Sequence, residues 1–510
     1  MKKSFLNKIL SVILAISSLA ILVSCSAAKK DGFDGNMVAD GIYNENMSDT
    51  AGSLPSEIPP EDYGKLIENK WISTADEPTS TFSSDVDTAS YTRFRAFVNQ
   101  NASLKTLQDY YGASIRTEEM LNYFKYTTNA PEGDDLFGVR TEIAPCPWNE
   151  SASLLMMTFK AKEVDAVNKG NNLVFLIDVS GSMNSEDKLP LLKKSFGELV
   201  KNLSDKDRIS IVTYSGAEKV VLEGCKGSDK DKIMKAVNSL GASGSTNGSA
   251  GMERAYSIAK DYFIEDGNNR IIMATDGDLN VGISTTEGIL EFVEEKRKSG
   301  IYISTLGFGT GGYNDSILET IADNGNGAYY FIDGMSEVEK VFGSDLLSTL
   351  YTVAQDVKFQ LTFDARTVSE YRLVGYENRL MNNEDFENDA KDAGELGSGQ
   401  QLVVCYEIKT TDTEVDIREL ASLSVRYKNP GELEALQNDY TITRDVVKIA
   451  PSEDMKFASA VIMTSMIIHR SEYIDEGIDI AFVSDELARL ELSDSYKKEF
   501  KTLVSKIAKG

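Results

Sequence analysis

From residue 171 to about 350 the chain alternates short apolar runs with longer stretches whose apolar residues recur three and four positions apart. The runs at 173–177, 208–214, 219–222, 270–274, 302–306 and 328–332 predict strands. The stretches at 188–203, 229–240, 249–263, 286–298, 316–322 and 338–350 predict helices. Several runs are apolar throughout, as expected of strands covered on both faces. Strand and helix alternating in this way predict an α/β domain built on a doubly wound, mostly parallel sheet, with ligands bound beyond the carboxyl ends of its strands.

The pattern changes on either side. Helical spacing at 90–100 and 116–123, followed by alternating runs at 137–143 and 153–160, predicts a small N-terminal α+β region over 71–164. Beyond the central domain (165–350), strands are expected at 357–363, 371–376, 402–408 and 420–427, then helices at 454–470 and 484–508. This reads as a separate C-terminal α+β domain over 351–510. The apolar helix through 455–468 is too short, and too interrupted by Lys456, Thr464 and Ser465, to cross a bilayer. The acidic stretch 383–395 reads as a solvated loop.

At the N-terminus, Lys2 and Lys3 precede an apolar run over 9–23, which has the form of a signal peptide. It closes on Leu22-Val23-Ser24-Cys25, which resembles the bacterial lipobox. That resemblance implies removal of residues 1–24 and lipidation of Cys25, so that the chain is lipid-anchored to a membrane and faces outward from it. Residues 25–70 are rich in Gly, Ser, Asn, Asp, Glu and Pro and read as a tether. Some forty flexible residues have a root-mean-square reach of ~35 Å. The three cysteines other than Cys25, namely Cys146, Cys225 and Cys405, are an odd number scattered along the chain and imply no disulfide framework. With 80 acidic and 53 basic residues the net charge is −27, which argues against recognition of nucleic acid or anionic lipid by charge.

The chemistry concentrates in Asp178-Val179-Ser180-Gly181-Ser182, directly after the first central strand. One carboxylate and two hydroxyls on a tight turn make an oxygen-lined cup for a hard cation: Mg²⁺ first, or Mn²⁺ or Ca²⁺. Thr246, in a glycine-rich loop before a helix, and Asp276, directly after another strand, are placed to complete it. Two carboxylates leave a divalent ion electrophilic, able to take an oxygen from outside.

These five residues resemble the metal-ion-dependent adhesion site of von Willebrand factor type A domains. The resemblance implies direct or near-direct ligation by Ser180, Ser182 and Thr246, with Asp178 and Asp276 acting largely through water. It also implies that an Asp or Glu carboxylate from a partner protein completes the shell. Asp278 and Asn280 read as loop-closing residues. A wider resemblance, through 82–91, 116–124 and 144–149, is to the N-terminal region of bacterial type A domain lipoproteins, which also carry an uncharacterised C-terminal domain. The expected function is binding, in adhesion or envelope assembly, and not catalysis.

Other motifs were weighed against this reading. Gly307-Phe308-Gly309-Thr310-Gly311-Gly312, with Asp333 beyond it, has the outline of a dinucleotide fingerprint but follows a late strand. An envelope hydrolase or nucleotide-using enzyme is therefore the alternative class, and a scaffold with a vestigial metal site a third. Ser182 and Ser243 lack a nucleophile-elbow setting, and the single histidine, His469, reads as a helix-end or packing residue. Asp85 and Asp87 read as turn or cap residues rather than a second metal site.

Overall fold

The computed structural model describes residues 66–164, 170–244, 249–277, 286–309, 315–411 and 419–509. The expected signal peptide, Cys25 and nearly all of the expected tether lie outside them. In chain order, β1 (Ile72–Ser73), β2 (Thr79–Ser83), α1 (Ala89–Asn99), α2 (Thr117–Asn122), β3 (Phe137–Pro145) and β4 (Ser153–Ala161) come first. The central segment runs β5 (Asn171–Asp178), α3 (Leu189–Asn202), β6 (Arg208–Ser215), β7 (Ala217–Lys226), α4 (Lys230–Asn238), α5 (Ser249–Asp261) and β8 (Asn268–Thr275). It continues through α6 (Thr286–Arg297), β9 (Tyr302–Phe308), α7 (Asp315–Asn324), β10 (Tyr329–Ile332), α8 (Met335–Glu339) and α9 (Leu346–Leu350). The last segment holds β11 (Thr352–Phe363), β12 (Val368–Val374), β13 (Gly394–Gly397), β14 (Gln401–Thr410), β15 (Glu419–Lys428), β16 (Ala435–Thr443), α10 (Glu453–His469), α11 (Ile480–Ala488) and α12 (Ser495–Lys509).

The central sheet has the order β10-β9-β8-β5-β6-β7 and is parallel except for the β6–β7 pair. Every residue of β5 and β8 is buried, which is why the middle of each, 173–177 and 271–274, reads as an unbroken apolar run. Alternate side chains divide between two cores: Leu173, Phe175 and Ile177 pack with the α3 side, Val174 and Leu176 with the α5 side. The order reverses direction between β5 and β8, the switch point at which such sheets open a crevice.

The flanking regions are not separate units as the sequence pattern suggested. A second sheet, β1-β12-β14-β4-β3, and a third, β13-β11-β15-β16 with β2 on β11, each draw strands from both sides of the central segment. Leu155, Met157 and Phe159 of β4 meet Val357, Phe359 and Leu361 of β11 in one core between these sheets. The opposite face of β4 and β14, with Leu154, Met156, Val403 and Cys405, packs on a helical layer centred on α10. Helix α10 is buried on nearly all sides, capped by Ser452 at its start and ended by Arg470 in the left-handed conformation. No helix among the described residues is long and apolar enough to cross a membrane.

Three local expectations are corrected. The stretch 484–508 is two helices, because Lys501 Nζ donates to the Ala488 and Leu490 carbonyls at the end of α11 and Asp494 caps the start of α12. The stretch 338–350 is broken by a π-turn at Lys340–Ser344. The acidic stretch 383–395 is pinned rather than freely solvated: Asp389 pairs with Arg426 at 2.8 Å, Asp392 with Arg297 at 2.6 Å, and Glu395 is buried. The sequence reading also missed β16, an edge strand with a single buried residue, Ile442.

Buried ion pairs tie the central domain to its flanks. Arg95 of α1 reaches Asp333 at 2.5 Å and Glu337 at 2.9 Å in the central segment, and Glu499 of α12 at 3.1 Å. Arg379 pairs with Asp85 at 2.9 Å and Asp323 at 2.8 Å, and Asp87 accepts a hydrogen bond from the Tyr329 backbone at 3.0 Å. Asp85 and Asp87 thus act in a turn and at this junction, Asp85 also accepting from the Asp87 backbone. We expect Arg95→Met to cost ~3–5 kcal/mol in chemical denaturation, because it strands two buried carboxylates.

Glu118 is fully buried and neither carboxylate oxygen has a hydrogen-bond partner in good geometry. Burial first, then the charges of Glu377 and Asp85, push its pKa well up, and the Tyr376 backbone offsets this only in part. A raised carboxyl pKa means that the folded state holds its proton longer, so stability is lost as pH climbs above the ordinary Glu range. Glu118→Gln should therefore raise thermal stability by ~1–3 kcal/mol at about pH 8, with the gain shrinking toward about pH 4.5.

Candidate metal centre

Asp178 is the last residue of β5 and is fully buried, while Asp276 directly follows β8. The β5–β8 register places Ile177 beside Ala274, so both carboxylates emerge at the carboxyl edge of the switch point. Asp178 Oδ1 accepts the Ser180 N–H at 2.7 Å, which closes the turn. Thr275 Oγ1 donates to Asp178 Oδ2 at 3.3 Å and accepts the Gly277 N–H at 3.2 Å. The Ser180 and Ser182 hydroxyls are 2.9 Å apart, Ser180 buried and Ser182 exposed.

The next loop is fastened to this turn. Ser243 N–H donates to the Val179 carbonyl at 2.7 Å, and Gly181 N–H to the Gly244 carbonyl at 3.2 Å. Gly244 has φ +88°, and a Cβ there would stand 2.8 Å from Ser215 Oγ. The loop therefore enters the site at a fixed point just ahead of Thr246. Thr246 itself, with Asp278 and Asn280, lies outside the described residues, as does the glycine-rich segment 310–314.

The structure adds a participant that the sequence reading treated only as the start of a helix. Lys188, which precedes α3, places Nζ 2.9 Å from Asp276 Oδ2, with 15% of its side chain exposed. Its stem runs over Gly309, where a Cβ would meet Lys188 Cε at 2.4 Å. Gly309, at φ +86°, thus makes room for a lysine. The signal was present in the sequence, since a lysine at a helix N-terminus opposes the helix dipole and calls for a carboxylate partner. Thr275 was also missed; a threonine ending a buried strand carries no distinctive pattern.

Asp276 Oδ1 is buried with no hydrogen-bond partner among the described residues. An orphaned carboxylate oxygen at the same sheet edge as the Asp178 turn and its two serine hydroxyls fits an oxygen-seeking cation. No three His, Cys, Asp or Glu side chains converge on a metal geometry among the described residues, so a cation here would depend on hydroxyls and water besides the two aspartates. Burial, with the charge of Asp276 adding to it, pushes the Asp178 pKa up to about 6 against the pull of the Ser180 N–H. His469 lies elsewhere, half-buried at the end of α10 with Nε2 bonded to the Ile115 carbonyl, and desolvation there lowers its pKa to about 4. Cys146, Cys225 and Cys405 are buried free thiols.

A doubly wound sheet with Asp-x-Ser-x-Ser on its first strand end is the architecture of a von Willebrand factor type A domain, and the family model of that description matches residues 172–344. Models described as "von Willebrand factor" and "Uncharacterized protein YfbK, C-terminal" match residues 57–156 and 348–509. The chain is 40% identical over 438 residues to the Escherichia coli "Uncharacterized protein YfbK", covering 81% of this chain and 75% of that protein. It belongs to the YfbK family of type A domain proteins. A Synechocystis protein, "Uncharacterized protein sll0103", is 30% identical over 171 residues, 34% of this chain and 40% of that protein. Among solved structures, "von Willebrand factor type A from Catenulispora acidiphila" aligns with a TM-score of 0.40 at 16% identity, covering 66% of this chain and 81% of that chain.

An ionised Asp178 costs the metal-free protein stability, because its folded pKa of about 6 lies above the ordinary 3.8. In chelator-stripped protein, Asp178→Asn should add ~1–3 kcal/mol at about pH 7.5 and almost nothing near pH 4, as read from thermal unfolding at the two values.

Proposed function

We propose that the chain is a lipid-anchored cell-envelope binding protein. Its type A domain holds a divalent cation, Mg²⁺ first, through Asp178, Ser180, Ser182, Thr246 and Asp276. The remaining coordination position takes an Asp or Glu carboxylate of a partner protein, in adhesion or envelope assembly. The observation that carries this reading is the buried, unpartnered Oδ1 of Asp276 at the switch point, beside an Asp178 turn whose two hydroxyls converge. Hydroxyl and carboxylate oxygens suit Mg²⁺, Mn²⁺ or Ca²⁺, and so few formal charges leave the cation able to attract another anion. The anchor rests on the lipobox-like run ending at Cys25.

Calorimetric titration of Mg²⁺ and Mn²⁺ into the chelator-stripped full chain in detergent tests the cation site. Saturable binding is expected in the wild type, with a loss of at least about tenfold in affinity in Asp178→Ala and in Thr246→Ala, since each removes an oxygen from the shell. A folded protein that takes up neither ion, both as wild type and with Lys188 neutralised, sinks the reading. For the anchor, Cys25→Ser should move the protein from the membrane fraction to the soluble fraction.

A further inference from the structure

We propose that Lys188 is the site's internal cation, which holds metal affinity down by competing for Asp276 and so makes metal retention depend on an arriving carboxylate. The inference rests on the cation-site reading above and concerns its regulation. Three features fix the lysine in this role. Its Nζ is 2.9 Å from Asp276 Oδ2, the oxygen next to the unpartnered Oδ1. Its stem fills the space over Gly309 that any side chain would close, so this rotamer is built into the fold. Its place at the N-terminus of α3 is electrostatically unfavourable unless a negative group repays it, and Asp276 is that group.

Charge then determines the order of events. Asp178 and Asp276 together present two negative charges, and Lys188 cancels one of them. A dication entering this site must either displace the ammonium from Oδ2 or sit close to it, and in a poorly solvated place both are costly. With metal and lysine both present the site carries one net positive charge, which one carboxylate neutralises. A partner's Asp or Glu is therefore favoured by the lysine as well as by the metal, and its binding strengthens metal retention in turn. Without the lysine the metal alone neutralises the aspartates and the external carboxylate gains less.

The test is calorimetric titration of Mg²⁺ into the chelator-stripped full chain, wild type beside Lys188→Met and Lys188→Arg, with and without sodium acetate as the carboxylate probe. Lys188→Met should bind Mg²⁺ at least about tenfold tighter, while acetate should enhance its Mg²⁺ affinity less than it does in the wild type. Lys188→Arg keeps the charge and should retain the wild-type weakness. Without metal, Lys188→Met should melt below the wild type, because Asp276 loses its counter-ion. Should the Met variant not fold, Lys188→Gln must shift Mg²⁺ affinity in the same direction. Saturable wild-type binding that Lys188→Met leaves unchanged or weakens overturns this proposal alone. Failure of the folded wild type and of the neutral variants to bind overturns the cation site as well.

Discussion

The antiparallel ladder between β4 and β14, from Gln401↔Lys160 to Ile408↔Ser153, decides the architecture. It pairs a strand that precedes the central domain with one that follows it, so the type A domain is an insertion into a body whose two halves share one sheet and one core. Alternate residues of these two strands face opposite ways, Leu155 and Met157 into the sheet-on-sheet core, Leu154 and Met156 toward α10. A one-residue slip would exchange the two cores, so the register is strongly specified. The central domain is then held at both ends of its sequence and again by the buried pairs of Arg95 and Arg379.

The central domain was legible because its signals are local. Buried parallel strands read as apolar runs, and the boundaries of β5, β6, β8 and β9 fall within two residues of those expected. Asp178, Ser180, Ser182 and Asp276 stand out in the sequence for the same reason, and the structure places each at or just beyond a strand end. The joining of 71–164 to 351–510 was not legible, because strand pairing across some 240 residues leaves no trace in periodicity. The α11–α12 break was hidden by apolar residues at 490 and 492 that continue the helical spacing, while the capping by Asp494 and Lys501 that ends it is a tertiary and local hydrogen-bond effect.

Lys188 and Gly309 illustrate a subtler limit. The run Gly307 to Gly312 has the outline of a dinucleotide fingerprint, set aside because it follows a late strand, and its glycines also suit a close strand-to-helix turn. In the structure Gly309 admits a lysine stem from another connection. The composition of a glycine-rich loop says that something approaches closely; it does not say what. Only the fold, by bringing the start of α3 beside the end of β9, supplies the answer.

The same electrostatic economy governs both the site and the junction. At the junction Asp85, Glu319 and Asp323 gather round Arg379, and the excess of acid leaves Glu118 without a partner. At the switch point Asp178 and Asp276 gather with a single lysine, and the excess leaves Asp276 Oδ1 orphaned. The difference lies in access. Glu118 is sealed among packed elements, and protonation is the relief open to it. Asp276 directly follows β8 at the carboxyl edge of the sheet, the edge that also bears the exposed Ser182 and at which such sheets admit ligands. An unpaired carboxylate in a sealed core tunes stability with pH, whereas one at the mouth of a doubly wound sheet is a place where an external charge is gained. That contrast is why the proposed cation site rests on the aspartate pair and not on Glu118.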